Sequence, residues 1–127
     1  MIAVDTSALM AILLNEPEAP ACTAALETEG RLLISAGTVA ELLIVAGRRK
    51  LLEEANALIG GLGFEIIGVT SESARRVADS YARWGKGIHP AALNFGDCFA
   101  HAMATEYRCR LLYVGADFAR TDIVGVL

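Results

Sequence analysis

Residues 1–14 read MIAVDTSALMAILL, and this opening decides the fold. Ile2–Val4 is a short apolar run containing two β-branched residues, the pattern of a strand buried on both faces. Asp5-Thr6-Ser7 follows at once. Asp is a favoured N-cap, and its side chain can accept an otherwise orphaned helix N–H. Ser7–Leu14 then continues as a helix that ends before Pro17. A buried strand passing straight into a helix is the opening of an α/β unit.

The same alternation continues to the end of the chain. Strands are expected at Ile2–Val4, Leu32–Ile34, Glu65–Ile67, Leu111–Val114 and Ile123–Val126. Helices are expected at Ser7–Leu14, Glu18–Glu29, Thr38–Arg48, Leu51–Ile59, Glu72–Arg83 and Phe95–Glu106, with Gly60-Gly61 punctuating the fourth. Such short, two-sided apolar strands suit a parallel sheet covered by helices on both faces. The expected fold is an α/β three-layer sandwich, and 127 residues fit a single domain spanning 1–127.

Composition narrows the function. Hydrophobic residues make up 54% of the chain and mean hydropathy is +0.46, an excess that suits helix faces buried against a partner. The most apolar stretch, Ala8–Leu14, falls well short of the ~20 residues needed to cross a bilayer. The N-terminus carries no basic region or cleavage site, so a cytoplasmic protein is expected. Cys22, Cys98 and Cys109 form no CxxC pair and read as reduced thiols, mostly buried. A net charge of −4 argues against broad, non-specific coating of nucleic acid. An acidic metal site remains compatible with a nuclease, because the bound ion offsets the charge locally.

Four carboxylates stand at strand ends or helix starts: Asp5 in IAVDTSAL, Glu41 in SAGTVAEL, Asp97 in LNFGDCFA and Asp117 in LLYVGADF. In an open parallel sheet, ligands bind beyond the carboxyl ends of the strands, where these acids would converge. Mutual repulsion would make such a cluster costly without a cation. Each acid also has a plain structural reading. Asp5 can cap a helix; Thr38-x-x-Glu41 and Asn94-x-x-Asp97 have capping-box spacing; Asp117 can cap a short helix at Phe118–Arg120. His101, four residues after Asp97, reads as a structural neighbour rather than a catalytic base. Asp122 reads equally as a supplementary site residue or an exposed acid.

Taken together, VDTSAL, TVAEL, LNFGDCFAHAMA and LLYVGADFARTDI resemble the PIN-domain ribonucleases, and among them the VapC-type toxins of type II toxin–antitoxin pairs. The likeness runs essentially end to end. It implies a PIN-like fold and a catalytic quartet of Asp5, Glu41, Asp97 and Asp117, with Asp5 and Asp97 the principal ligands of Mg²⁺ or Mn²⁺. It implies supporting roles for Thr6, Ser7 and Asn94. Ala116 departs from the pattern, since a polar residue often precedes the last acid. The activity implied is hydrolysis of RNA phosphodiester bonds by a metal-activated water. A cognate antitoxin and a homodimer are the implied protein partners. Arg48-Arg49-Lys50, the densest basic run, reads as a solvated helix end or as a phosphate-contacting patch. Two other classes fit less well. A degenerate PIN-like binding module would not need the intact quartet. An aspartyl-phosphate phosphatase would want a second Asp in DTSA, and a receiver domain an acidic pair before the phosphorylated strand end.

Overall fold

Alternate residues along the strands face opposite ways, and two cores result. The computed structural model describes the whole chain, Met1–Leu127. In chain order the elements are β1 (Ile2–Val4), α1 (Thr6–Leu13), α2 (Ala19–Thr28), β2 (Leu32–Ser35), α3 (Ala36–Arg48), α4 (Leu52–Gly61), β3 (Glu65–Ile67), α5 (Ser71–Trp84), α6 (Phe95–Tyr107) and β4 (Arg110–Leu112). Ile2, Val4, Leu32, Ile34 and Leu112 pack against α1–α4. Ala3, Leu33 and Leu111 pack on the other face against α5 and α6, with Phe118 fully enclosed among them. The result is a three-layer α/β/α sandwich, as the strand pattern implied.

All pairings are parallel and the strand order is β3-β2-β1-β4. The chain runs outward from β1 to β2 and β3, then returns to place β4 on the other side of β1. The switch point therefore lies between β1 and β4, the crevice where ligands bind in open α/β sheets. Asp5 follows β1 at this point, and Val114 follows β4.

Several boundaries differ from the sequence reading. Leu111–Val114 is ladder only as far as Leu112, whose partner Val4 is the last residue of β1. The Val114 N–H is diverted to Ser7 Oγ at 3.0 Å, so the strand gives way to the site. Ile123–Val126 does not form a fifth strand. It touches β4 only through a bridge between Leu111 and Gly125, with Leu111 N–H donating to Val124 O and Val126 N–H to Leu111 O, both at 3.0 Å. Ile123 and Val126 pack only partly buried against opposite cores and Val124 stays largely exposed, so the segment lacks the fully buried alternation of the other strands. Gly60 and Gly61 remain helical, and the left-handed residue that follows is Gly63, with φ +69°. Phe118–Arg120 is turn rather than helix, closed by Ala119 N–H to Ala116 O and Thr121 N–H to Phe118 O.

Candidate active site

Two strand-to-helix junctions and one helix start deliver three of the acids to the same rim. At the first junction Asp5 caps α1. Its Oδ2 accepts the Ser7 backbone N–H at 3.0 Å and the Ser7 hydroxyl at 2.6 Å. Ser7 Oγ in turn accepts the Val114 N–H, and Asp5 N–H donates to Leu112 O at 3.0 Å. Asp5 is thereby laced across the switch point. Its other oxygen, Oδ1, is buried and has no partner.

At the second junction β2 runs directly into α3 with Ser35 as the cap, its hydroxyl accepting the Gly37 N–H at 3.1 Å. The expected Thr38–Glu41 capping box does not form, because Ser35 takes that task and starts the helix two residues earlier. Thr38 is buried inside α3 with its hydroxyl unpartnered. Glu41 is freed to reach the rim, where its Oε1 accepts the Thr6 hydroxyl at 2.6 Å. Thr6 and Ser7, adjacent in sequence, thus each steer a different acid.

The Asn94–Asp97 capping box does form. Asn94 Oδ1 accepts the Asp97 N–H at 2.8 Å, and Asp97 Oδ2 accepts the Asn94 N–H at 3.0 Å. Asp97 Oδ1 makes no hydrogen bond within the protein. Asp117 is exposed and hydrogen-bonds to nothing, consistent with Ala116 lacking a polar side chain beside it. Its placement depends on the loop after β4.

Two glycines with little prominence in the sequence let α3 and α6 close on each other. A Cβ on Gly96 would collide with the Glu41 carboxylate, and one on Gly37 with the Phe99 ring. Their only sequence signal is glycine within the first turn of a helix, where it is otherwise unfavourable.

The electrostatics follow from this gathering. Burial pushes the Asp97 carboxyl up to about 7, against the Asn94 N–H bond; repulsion from Asp5, Asp117 and Glu41 adds to the rise. Burial likewise raises Asp5 to about 6, with Glu41 adding to it and the two Ser7 bonds opposing it. Asp97 is thus the acid that feels the charge of the other three. No three His, Cys, Asp or Glu side chains are drawn together tightly enough to hold a metal ion between them. An oxygen-only set with an unpartnered buried carboxylate oxygen nevertheless fits a hard divalent ion, since Mg²⁺ commonly uses one or two carboxylates and keeps its waters.

The PIN domain family model matches residues 2–124. The chain belongs to the PIN-domain family, in its VapC branch. Ribonuclease VapC36 of Mycobacterium tuberculosis is 40% identical over 127 residues, covering 94% of this chain and 89% of the relative. The fold superposes on the crystal structure of M. tuberculosis VapC20, a sarcin–ricin loop cleaving toxin, with TM-score 0.81 at 17% identity, covering 99% of this chain and 98% of that one. A toxin–antitoxin complex from Klebsiella pneumoniae gives TM-score 0.71 at 21% identity, covering 96% and 93% of the two chains.

The remaining sequence candidates fall in several places. Arg48 closes α3 and lines an apolar groove of about 370 Å³ shared with Glu41, Ile44, Phe95 and Phe99. Arg49 and Lys50 lie beyond the helix end, exposed, and none of the three cations is in an ion pair. His89 is used locally, its Nδ1 accepting the Ala91 N–H at 3.0 Å. His101 and Asp122, separated by 21 residues, meet at 2.9 Å. No helix is long and apolar enough to cross a membrane.

Proposed function

We propose that this protein is a Mg²⁺- or Mn²⁺-dependent endoribonuclease, the toxin of a toxin–antitoxin pair, with Asp5, Glu41, Asp97 and Asp117 as its catalytic acids. The observation that carries this reading is the convergence of buried, mutually repelling Asp5 and Asp97 beside Glu41 at the sheet's switch point. Membership of the VapC branch supports RNA as the substrate. A divalent cation, when bound, supplies Lewis-acid stabilisation of the phosphate and acidifies a water for in-line attack.

The chain's own residues supply the geometry. Asp5 Oδ1 and Asp97 Oδ1 are the free oxygens that would hold the ion. Ser7 and Asn94 occupy the other oxygen of each acid and so fix its rotation. Thr6 holds Glu41 over the start of α6, and Asp117 adds charge from the outer side. Arg48, in the groove that leads from Glu41, is placed to meet a substrate phosphate, with Arg49 and Lys50 extending the basic end. Nothing in this arrangement engages a ribose 2′-hydroxyl, so products should carry 5′-phosphate and 3′-hydroxyl ends.

We further read residues 1–127 as one PIN-like domain, working in the cytoplasm as a homodimer and neutralised by a cognate antitoxin. The likeness to a toxin–antitoxin complex supports the antitoxin. End-mapping of RNA cut by the purified protein tests the central reading. Cleavage should need Mg²⁺ or Mn²⁺, stop with EDTA, vanish in Asp97→Asn and leave 5′-phosphates. Undiminished cleavage in EDTA, or 2′,3′-cyclic phosphate ends, would overturn it.

A further inference from the structure

His101 is 4% exposed and bonds at both ring nitrogens to residues on different segments. Its Nδ1 lies 2.8 Å from Ser80 Oγ on α5, and its Nε2 lies 2.9 Å from Asp122 Oδ1 in the C-terminal segment. An ionised carboxylate has no proton to give, so Nε2–H donates to Asp122. Nδ1 pairs with the Ser80 hydroxyl, which can donate or accept, so both ring nitrogens are satisfied. Three separate segments are joined through one imidazole.

What that junction anchors is the loop carrying Asp117. The loop is pinned first by Phe118, 1% exposed, whose ring packs 5.1 Å from that of Tyr113. It is then turned by Thr121, whose hydroxyl donates to Phe118 O at 2.7 Å and accepts the Ile123 N–H at 3.2 Å. It is finally tied down by Asp122. Asp117 itself bonds to nothing, so its position relative to Asp97 is a property of these anchors. His101 sits one turn after Asp97 on α6, so the last anchor and the central acid ride on the same rigid helix.

We propose that the Ser80–His101–Asp122 chain is a positioning device that holds Asp117 against Asp97. This inference rests on the reading of those acids as the metal-holding site. In this proposal the three residues act through the loop, as positioning residues.

Replacing His101 risks the fold because it is buried, so the test uses Asp122, whose side chain is 45% exposed. Wild type, Asp122→Ala and Asp122→Asn are compared in Mn²⁺ titration calorimetry, RNA cleavage and thermal melting. Asp122→Ala should weaken Mn²⁺ binding about tenfold and lower kcat to match, as loss of a partner that orients a metal site does. KM for RNA should hold, and the melting temperature should fall by only a few degrees. Asp122→Asn should recover most of the loss, because its Oδ1 still accepts from Nε2–H. A purely structural role would lower the melting temperature and leave Mn²⁺ affinity and kcat untouched, which would overturn the proposal. Failure of the underlying site reading is visible separately. Wild type that binds no Mn²⁺, or Asp97→Asn that cleaves at the wild-type rate, would bring down both.

Discussion

Replacing Asp97 with Asn should stabilise the metal-free protein at pH 8. Asp97 ionises near 7 in the fold against an unfolded value near 3.8, because burial and three neighbouring acids disfavour its charge. A group whose folded pKa lies above its unfolded one binds its proton more tightly in the native state. Stability therefore falls as pH rises from about 4 towards 7 and stays low above that. The Asp5 carboxyl, raised to about 6, acts in the same direction over a narrower window. A tenfold difference in proton affinity between the folded and unfolded chain is worth about 1.4 kcal/mol. Water reaches part of the Asp97 carboxylate, so we discount the full effect by about half, leaving a gain on the order of 2 kcal/mol for Asp97→Asn at pH 8. For a chain of this size that is roughly 7 °C in Tm. Asparagine's Oδ1 can still accept the Asn94 N–H that Asp97 accepts now, so the cap survives. Thermal and urea melts of both proteins in EDTA at pH 4, 6 and 8 test the argument. The two curves should coincide near pH 4 and diverge as pH rises. A variant less stable than wild type at pH 8, or a difference independent of pH, would refute the account of Asp97.

Other outcomes follow from the same geometry. Saturating Mn²⁺ should reverse the ranking at pH 8, since binding at a hundredfold excess over Kd adds ~2.7 kcal/mol to wild type. An Asp5→Asn/Asp97→Asn double variant should show no such gain in the same melts. Gly96→Ala should leave stability within about 1 kcal/mol, since alanine suits a helix better than glycine, yet should cut cleavage by an order of magnitude or more by pushing Glu41 aside. A wild-type rate in that variant would show that Glu41 need not occupy this position. Arg48→Ala, measured in an Asp97→Asn background where no RNA is cut, should reduce the slope of log binding constant against log salt by ~0.7. An unchanged slope would return Arg48 to the role of a solvated helix end.

The parts of the fold that read well from sequence are those with local causes. Ile2–Val4 is bounded by Asp5, which must leave the strand in order to cap α1, and both its ends are legible. Asn94 and Asp97 announce their capping box by spacing alone, and it forms. Thr38 and Glu41 have similar spacing but do not cap, because Ser35 lies at the actual strand end and nothing local distinguishes two possible caps three residues apart. The end of β4 departs from its sequence pattern for a longer-range reason: Val114 donates to Ser7, 107 residues away in the chain. The His101–Asp122 contact and the clash that only glycine at 96 avoids are likewise set by tertiary packing. At the candidate site, sequence can nominate the acids; it cannot say which oxygen of each is spoken for.

That division of oxygens makes the capping reading of these residues compatible with the proposed catalytic one. Asp5 gives Oδ2 to Ser7 and keeps Oδ1 buried and unpartnered. Asp97 gives Oδ2 to the Asn94 N–H and keeps Oδ1 free of protein bonds. In both, the capping bond stops rotation of the carboxylate and so aims the other oxygen, which is the preorganisation a metal site needs. Under the proposed function, the structural task sets up the chemical one. It also explains why the arrangement persists despite its cost. Two carboxyls held above their ordinary pKa, an unpartnered buried oxygen and an unpartnered Thr38 hydroxyl all penalise the free fold. Of these, a cation would relieve the charge repulsion and the lone Asp5 oxygen together. The Thr38 hydroxyl lies inside α3 and would be untouched, so metal binding should recover most, but not all, of the stability that the site gives up.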